Sequence, residues 1–314
     1  MPSSVDIIRI ATERAREDWV SYSAMQEREI LAMFNNTANE LTDQIARYTK
    51  ADKVAPARLN ILLKSVKDES RLLRTQVANR ITRGMKNSVD YGLKTGILSL
   101  ESSLPSRFKL GIGSSFIDKS GKVIRNNSIE EIFTDSKWAK INGDAMDYLF
   151  RFAPGGDTLS SRIWDGIHQS EKAIRNRIQM AVLSGESSAR LSLDIRKYLV
   201  QPKTLRGTEK ALYHPGMGVY KSAYKNAMRV ARTEMARAYT EGTFRYANQK
   251  DWIKGYIWKI GGGNPCPICS DSAETYWEKA DPPPIPAHPQ CKCYVELVMD
   301  DKKVEPIKTK AAVQ

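Results

Sequence analysis

The sequence predicts a mainly α fold, in which helical domains carry a small C-terminal β-hairpin module stapled by zinc. Apolar residues recur at helical spacing through most of the 314 residues. All four cysteines, Cys266, Cys269, Cys291 and Cys293, crowd into one short stretch with His288, one of only three histidines. No apolar run approaches the roughly 20 residues needed to cross a bilayer. At this length two domains can each bury a core. The start, MPSSVDIIRIATERARED, lacks the apolar core of a secretory signal. The chain is therefore expected to stay in the cytosol, where thiols remain reduced.

Four segments follow from composition: a helical region over 1–153 with a short hairpin near 116–124, a second helical part over 154–250, the zinc module over 251–300, and a tail over 301–314. Residues 4–50 read as helix, with Ile7, Ile10, Ala11, Ala15, Trp19, Met25, Ile30, Met33 and Phe34 among many charges. Pro56 suits a helix start, and the segment from there to about Ser88 is the clearest amphipathic helix. Leu59, Leu62, Leu63, Val66, Leu73 and Val77 form its apolar stripe, and Lys64, Lys67, Arg71 and Arg74 its opposite face. Between Lys53 and Lys94 ten basic residues stand against three acidic ones. A solvated face explains such a run, and so does a surface for phosphate or an acidic partner; without interleaved aromatics it is not a base-stacking surface.

From 95 to 127 the composition turns to Gly, Ser and Lys, with a hairpin expected from Phe116 to Ile124 around Ser120-Gly121. Gly111-x-Gly113 lacks a preceding strand and a third glycine, so it reads as a turn and not a nucleotide loop. Ser128, with Glu131 three residues on, has capping-box spacing for a helix to about Phe150. Pro154-Gly155-Gly156 is the best internal boundary. Ile163, Ile167, Ile174, Ile178 and Val182 make the next helix, stopped near Gly185; Leu191, Ile195 and Leu199 make another, ended by Pro202. His168, beside that apolar stripe and without an evident carboxylate partner, reads as an ordinary side chain, and His214 belongs to the turn-rich loop 201–218. A long helix then runs from Tyr220 to about Asn248, with Tyr224, Ala227, Ala231, Met235, Ala238 and Gly242 on one side, small enough to admit another helix.

The cysteines carry the chemistry. Cys266-Pro-Ile-Cys269 is knuckle spacing, and His288-Pro-Gln-Cys291-Lys-Cys293 supplies the second half of a tetrahedral zinc site. Extended backbone from Cys291 to Cys293 would put both sulfurs on one face. Five donors compete for four places: Cys266, Cys269 and Cys291, with either His288 or Cys293. The bland alternatives are two disulfides, disfavoured by the reducing compartment and by the poor geometry of neighbours two apart, or four unrelated thiols that happen to be crowded. Pro265-Cys266-x-x-Cys269 matches half of the zinc deaminase signature, but neither His168 nor His214 begins the required His-x-Glu. A closed four-ligand site leaves no position for water, so the ion is expected to be structural, pinning Tyr256–Ile260 against Tyr294–Met299. No nucleophile with its base, no paired carboxylates and no phosphate loop appear, so no enzyme is expected.

Several motifs in order carry a resemblance. Ala231-Arg-Thr-Glu-Met-Ala-Arg-Ala-Tyr239, then Trp258, the Cys266/Cys269 knuckle, Pro282-Pro283-Pro284 and His288-Pro-x-Cys-x-Cys293 resemble the head-morphogenesis (minor head) proteins of tailed phages related to the F protein of phage Mu. Asp157-Thr-Leu-Ser-Ser-Arg162-Ile163-Trp164 and Gly185-Glu-Ser look like the start of the same domain, so the resemblance covers about 157–300. Gly261-Gly262-Gly263-Asn264 stands where such proteins often carry an acid and an arginine. The resemblance implies a minor structural protein of the virion, made in the host cytoplasm and incorporated at the portal or inner capsid. Its implied partners are the portal protein, capsid or scaffold proteins and, through the net charge of +13, DNA bound without sequence preference during packaging or ejection. It also implies that Arg232 and Glu234 clasp the helices against the zinc hairpin. The competing expectation is a cytosolic zinc-containing nucleic-acid-binding protein; the acids and prolines between the ligand pairs (Asp271, Glu274, Glu278, Asp281, Pro282 to Pro284) make a poor phosphate surface.

Overall fold

Neither glycine nor proline interrupts residues 4–47, and this stretch forms one helix, α1 (Ser4–Arg47). The computed structural model describes residues 4–103, 116–117, 123–124, 136–151, 159–200, 223–251, 253–262 and 265–299. The boundary at Pro154, the Ser128 cap, Gly111-x-Gly113, His214 and the tail lie outside them. After α1 come β1 (Thr49–Lys50) and β2 (Lys53–Val54), joined by Ala51 and Asp52, both at positive φ. That is the backbone of a two-residue primed turn, which sequence reading missed because Ala-Asp lacks the usual glycine.

A 3₁₀ turn at Pro56–Arg58 leads into α2 (Leu59–Ser103), which continues well past Ser88. The short pairing of β3 (Phe116–Ile117) with β4 (Val123–Ile124) is the expected hairpin. The remaining helices are α3 (Ser136–Arg151), α4 (Leu159–Ser184), α5 (Ser188–Leu199) and α6 (Ala223–Asn248). No described helix is long and apolar enough to cross a membrane. At the C-terminal end come β5 (Ile253–Lys259), the short helix α7 (Pro267–Ser272), β6 (Tyr276–Glu278) and β7 (Tyr294–Met299), and the three strands form an antiparallel sheet of order β6-β5-β7. The expected pairing is there, Tyr256 facing Leu297 and Trp258 facing Val295, but it is not a hairpin: β6 lies between the two strands in sequence and pairs along the other edge of β5.

The chain divides into two units, each built from separated stretches. One comprises 23–84 and 152–232. Its core is the expected stripe of α2 (Leu62, Leu63, Val66, Leu73, Val77) with Ile30, Phe34 and Leu41 of α1, Ile174 and Ile178 of α4, and Leu191, Ile195 and Leu199 of α5. Met25, expected among the apolar positions of α1, is 39% exposed. Gly185, at φ +64, ends α4, and Ser187 caps α5 by accepting from Arg190 N. Arg177 then bridges Glu186 and Asp194.

The other unit comprises 1–22, 85–151 and 233–314. Here α2 crosses α6 with almost no side chain between them. A Cβ on Gly92 would fall 2.0 Å from Tyr239 O, and one on Gly242 would fall 2.2 Å from Val89 O. This is why α2 does not stop at Ser88: backbone contact along α6 offsets the roughly 1 kcal/mol that each glycine costs a helix. Trp19 of α1 packs on Tyr239 and donates to Ser88 Oγ at 3.0 Å, while Tyr239 shares a 2.8 Å hydrogen bond with Thr95. Asn142 of α3 donates to Lys86 O and to Asp90. Tyr256, Trp258, Val295 and Leu297 of the sheet are all buried in this unit.

Candidate metal centre

Pro267, at the first helical position, starts α7, and Cys266 caps it: its backbone is extended and its Sγ accepts from Cys269 N at 3.4 Å. Tying Cys266 to the first turn aims both sulfurs the same way. The second half turns at Gln290, at φ +63, where Cys291 N donates to His288 O at 3.1 Å. From there the chain enters β7.

Five donors result, in two overlapping groups whose ligand atoms lie within 4.8 Å of one another: Cys266, Cys269 and His288, and Cys269, Cys291 and Cys293. Cys269 belongs to both. Its Sγ is 3.3 Å from His288 Nε2 and 3.8 Å from Cys291 Sγ. His288 Nδ1 lies 2.9 Å from Pro289 O. A carbonyl only accepts, so Nδ1 carries the proton and Nε2 presents its lone pair to Cys269. All four cysteines are free thiols, and only Cys266 is more than slightly exposed.

Charge in this pocket is shared unequally. Burial pushes the Cys269 thiol up to about 12. The hydrogen bond with Cys293, followed by burial, pushes Cys291 up as well. Cys293 is lowered, first by accepting from Cys291 and also by the Gly261 N–H and the Trp258 indole N–H, which faces it without a close hydrogen bond. One sulfur is thus favoured as thiolate at the expense of its neighbours. The cluster could hold a metal ion.

The module is tied to α6 through Thr233, whose Oγ1 accepts from Gln290 N at 3.0 Å. The expected clasp is arranged differently: Arg232 grips both carboxylate oxygens of Glu27 on α1, at 2.7 and 2.6 Å, and the buried Glu234 pairs with Arg237 at 2.9 Å. His168, expected to lack a carboxylate partner, has Glu171 at 3.7 Å one turn on and lies far along the chain from the cysteines. Lys64, Lys67 and Arg71 are exposed on α2 and Arg74 is half-buried. Asp68 and Glu69 interrupt that stripe, with Glu40 and Asp68 raising the carboxyl of Glu69 after burial has done so.

A residue that sequence reading overlooked stands behind the cluster. Arg16 of α1 is buried, donates from Nη2 to Lys292 O, and stacks on Trp19 at 4.3 Å and Tyr294 at 5.2 Å. Gly261 makes room, since a Cβ there would fall 1.7 Å from Lys292 O. Nothing local in the sequence marks Arg16 among its charged neighbours. Fold and site together define a mainly helical protein with a partly buried Cys/His cluster beside a small antiparallel sheet. Comparison with protein-family models, curated proteins and solved structures finds no match.

Proposed function

We propose that this chain is a minor head protein of a tailed phage, a non-enzymatic assembly component of the virion that works at the portal or inner capsid in head morphogenesis and in DNA packaging or ejection. One observation carries the reading: Thr233, inside the Ala231–Tyr239 motif, accepts from Gln290, inside the His288–Cys293 motif. The two halves of the sequence resemblance, 57 residues apart, meet in one contact, as parts of one domain should.

The cluster's ion is zinc in this reading, held by Cys266, Cys269 and Cys291 with either His288 or Cys293. A tetrahedral ion with sulfurs at about 2.3 Å and nitrogen at about 2.0 Å sets S···S edges of about 3.8 Å and S···N edges of about 3.5 Å. The 3.8 Å and 3.3 Å separations around Cys269 fit. The ion supplies a cross-link and no chemistry, because protein donors fill its coordination shell. Cys266 and Cys269 would anchor α7, while Cys291 with either His288 or Cys293 would anchor the entry to β7, so the ion would fix that loop against α6. The exposed Lys64, Lys67 and Arg71 would meet packaged DNA or an acidic face of the portal, capsid or scaffold.

Co-expression with the portal and capsid genes of the same phage tests the reading. The chain should sediment with procapsids, and DNA retention should fall steeply with salt. A chain that stays out of procapsids yet holds a preferred sequence in high salt is instead a nucleic-acid-binding zinc protein.

A further inference from the structure

The buried guanidinium of Arg16 poses a problem of charge. An arginine does not neutralise itself by losing its proton, and an isolated buried charge is costly unless an opposite charge offsets it. Among the described residues no carboxylate forms an ion pair with Arg16, whose contacts are the Lys292 carbonyl and the rings of Trp19, Tyr239 and Tyr294. The two tyrosines are not the missing anions: each presents its ring face to the guanidinium, at 5.5 and 5.2 Å, and a neutral phenol brings no counter-charge. What remains is sulfur. Lys292, whose carbonyl receives the guanidinium, sits between Cys291 and Cys293.

A divalent ion with three thiolates carries a net charge of about −1, and with four about −2, by simple addition of ligand charges. Such a surplus inside a protein needs a partner outside the coordination shell, and partners of this kind strengthen the ligands they face. Arg16 is the only buried arginine among the described residues, and it reaches the backbone carbonyl between Cys291 and Cys293. Its path is kept open by Gly261, where a Cβ would come within 3.0 Å of Nη2.

We propose that Arg16, delivered by the N-terminal helix, is the counter-charge of the metal centre, so that ion occupancy and the seating of the start of α1 against the Cys291–Tyr294 strand entry strengthen one another. The proposal rests on the metal reading above and names the residue that completes it. It also assigns the first turns of the chain a role that the cysteine motif alone could not reveal: the module is assembled from both ends of the sequence.

The test uses the full-length chain, with zinc as the probe, at one fixed pH. Zinc affinity is read by competition with a chromophoric chelator for wild type, Arg16→Met, Arg16→Gln and Arg16→Lys. Melting temperature is read with zinc and with excess chelator. Losing an outer-shell partner weakens metal binding about 10–100-fold. Arg16→Met and Arg16→Gln should do so and should shrink the zinc-dependent rise in melting temperature, while Arg16→Lys recovers part of the affinity by keeping the charge. Should Arg16→Met fail to fold, Arg16→Gln gives the same reading. Unchanged affinity in the neutral variants, or an equal fall in melting temperature with and without zinc, overturns the role of Arg16 and leaves the metal reading standing. A wild-type chain that takes up no zinc overturns the metal reading, and this proposal with it.

Discussion

Replacing Cys269 with serine is the sharpest perturbation of the metal centre. Cys269 is the one donor common to both triads, within reach of His288 Nε2 at 3.3 Å and Cys291 Sγ at 3.8 Å. Serine keeps the size and offers a hard neutral oxygen in place of a thiolate. Structural zinc sites bind with about 10–16 kcal/mol in all; shared over four ligands, one is worth roughly 3–4 kcal/mol, or about 10²–10³-fold in affinity. The assay is chelator competition on the full chain, with cobalt substitution to follow the sulfur charge-transfer band. Cys293→Ser and His288→Ala are its internal comparison. The true fourth ligand should lose as much as Cys269→Ser, and the other no more than the 10–100-fold typical of an outer-shell partner. Wild-type affinity in Cys269→Ser would refute the geometry, because the single four-donor set that avoids that sulfur (Cys266, His288, Cys291 and Cys293) joins the two triads without the member they share.

Further expectations concern the scaffold and the charged face. Gly92→Ala should destabilise by about 1–3 kcal/mol, the usual cost of overpacking, because its Cβ would lie 2.0 Å from Tyr239 O; urea unfolding measures this, and an unchanged midpoint refutes the close crossing. Glu234→Ala removes the carboxylate, 1% exposed, that pairs with Arg237 and should cost about 3–5 kcal/mol, read as a lower melting temperature. Burial alone would raise the Asp194 carboxyl, yet hydrogen bonds from Lys197 and Arg177 outweigh it and hold it below the ordinary range. Its stabilising contribution is therefore present above the unfolded pKa of about 3.9 and lost as pH falls through the lower folded value. Asp194→Asn should flatten acid unfolding there, and an identical acid limb would count against the network. Combining Lys64→Ala, Lys67→Ala and Arg71→Ala should reduce the slope of log affinity for DNA against log salt by up to about 3, near one per phosphate contact; an unaltered slope assigns DNA contact elsewhere.

How much of this was legible in the sequence depends on the distance over which each feature is decided. The stripe of Leu62, Val66, Leu73 and Val77, the helices ending at Gly185 and Leu199, and the pairing of Tyr256 and Trp258 with Leu297 and Val295 follow from local periodicity. The cysteine cluster was legible because knuckle spacing is itself a local geometric constraint. Features set by partners far along the chain were not. The passage of α2 through Gly92 depends on α6, the third strand β6 depends on an edge of β5, and Arg16 meets Lys292 across 276 residues.

The bearings of the charged residues on α6 follow from elementary helix geometry. Arg232 and Glu234 are two residues apart in a helix, and at about 100° per residue they point in nearly opposite directions. They could not both clasp one hairpin. Successive residues of α6 instead serve successive directions: Arg232 takes Glu27, Thr233 takes the loop before Cys291, and Glu234 turns inward to Arg237. The Ala-Arg-Thr-Glu run is thus informative as a sequence of bearings rather than as a cluster of charges. Thr233, the least conspicuous of the three, touches the metal module. Its substitution by valine, which keeps the shape and removes the acceptor for Gln290 N, should loosen the His288–Cys293 loop and weaken zinc binding while leaving the Arg232–Glu27 pair in place.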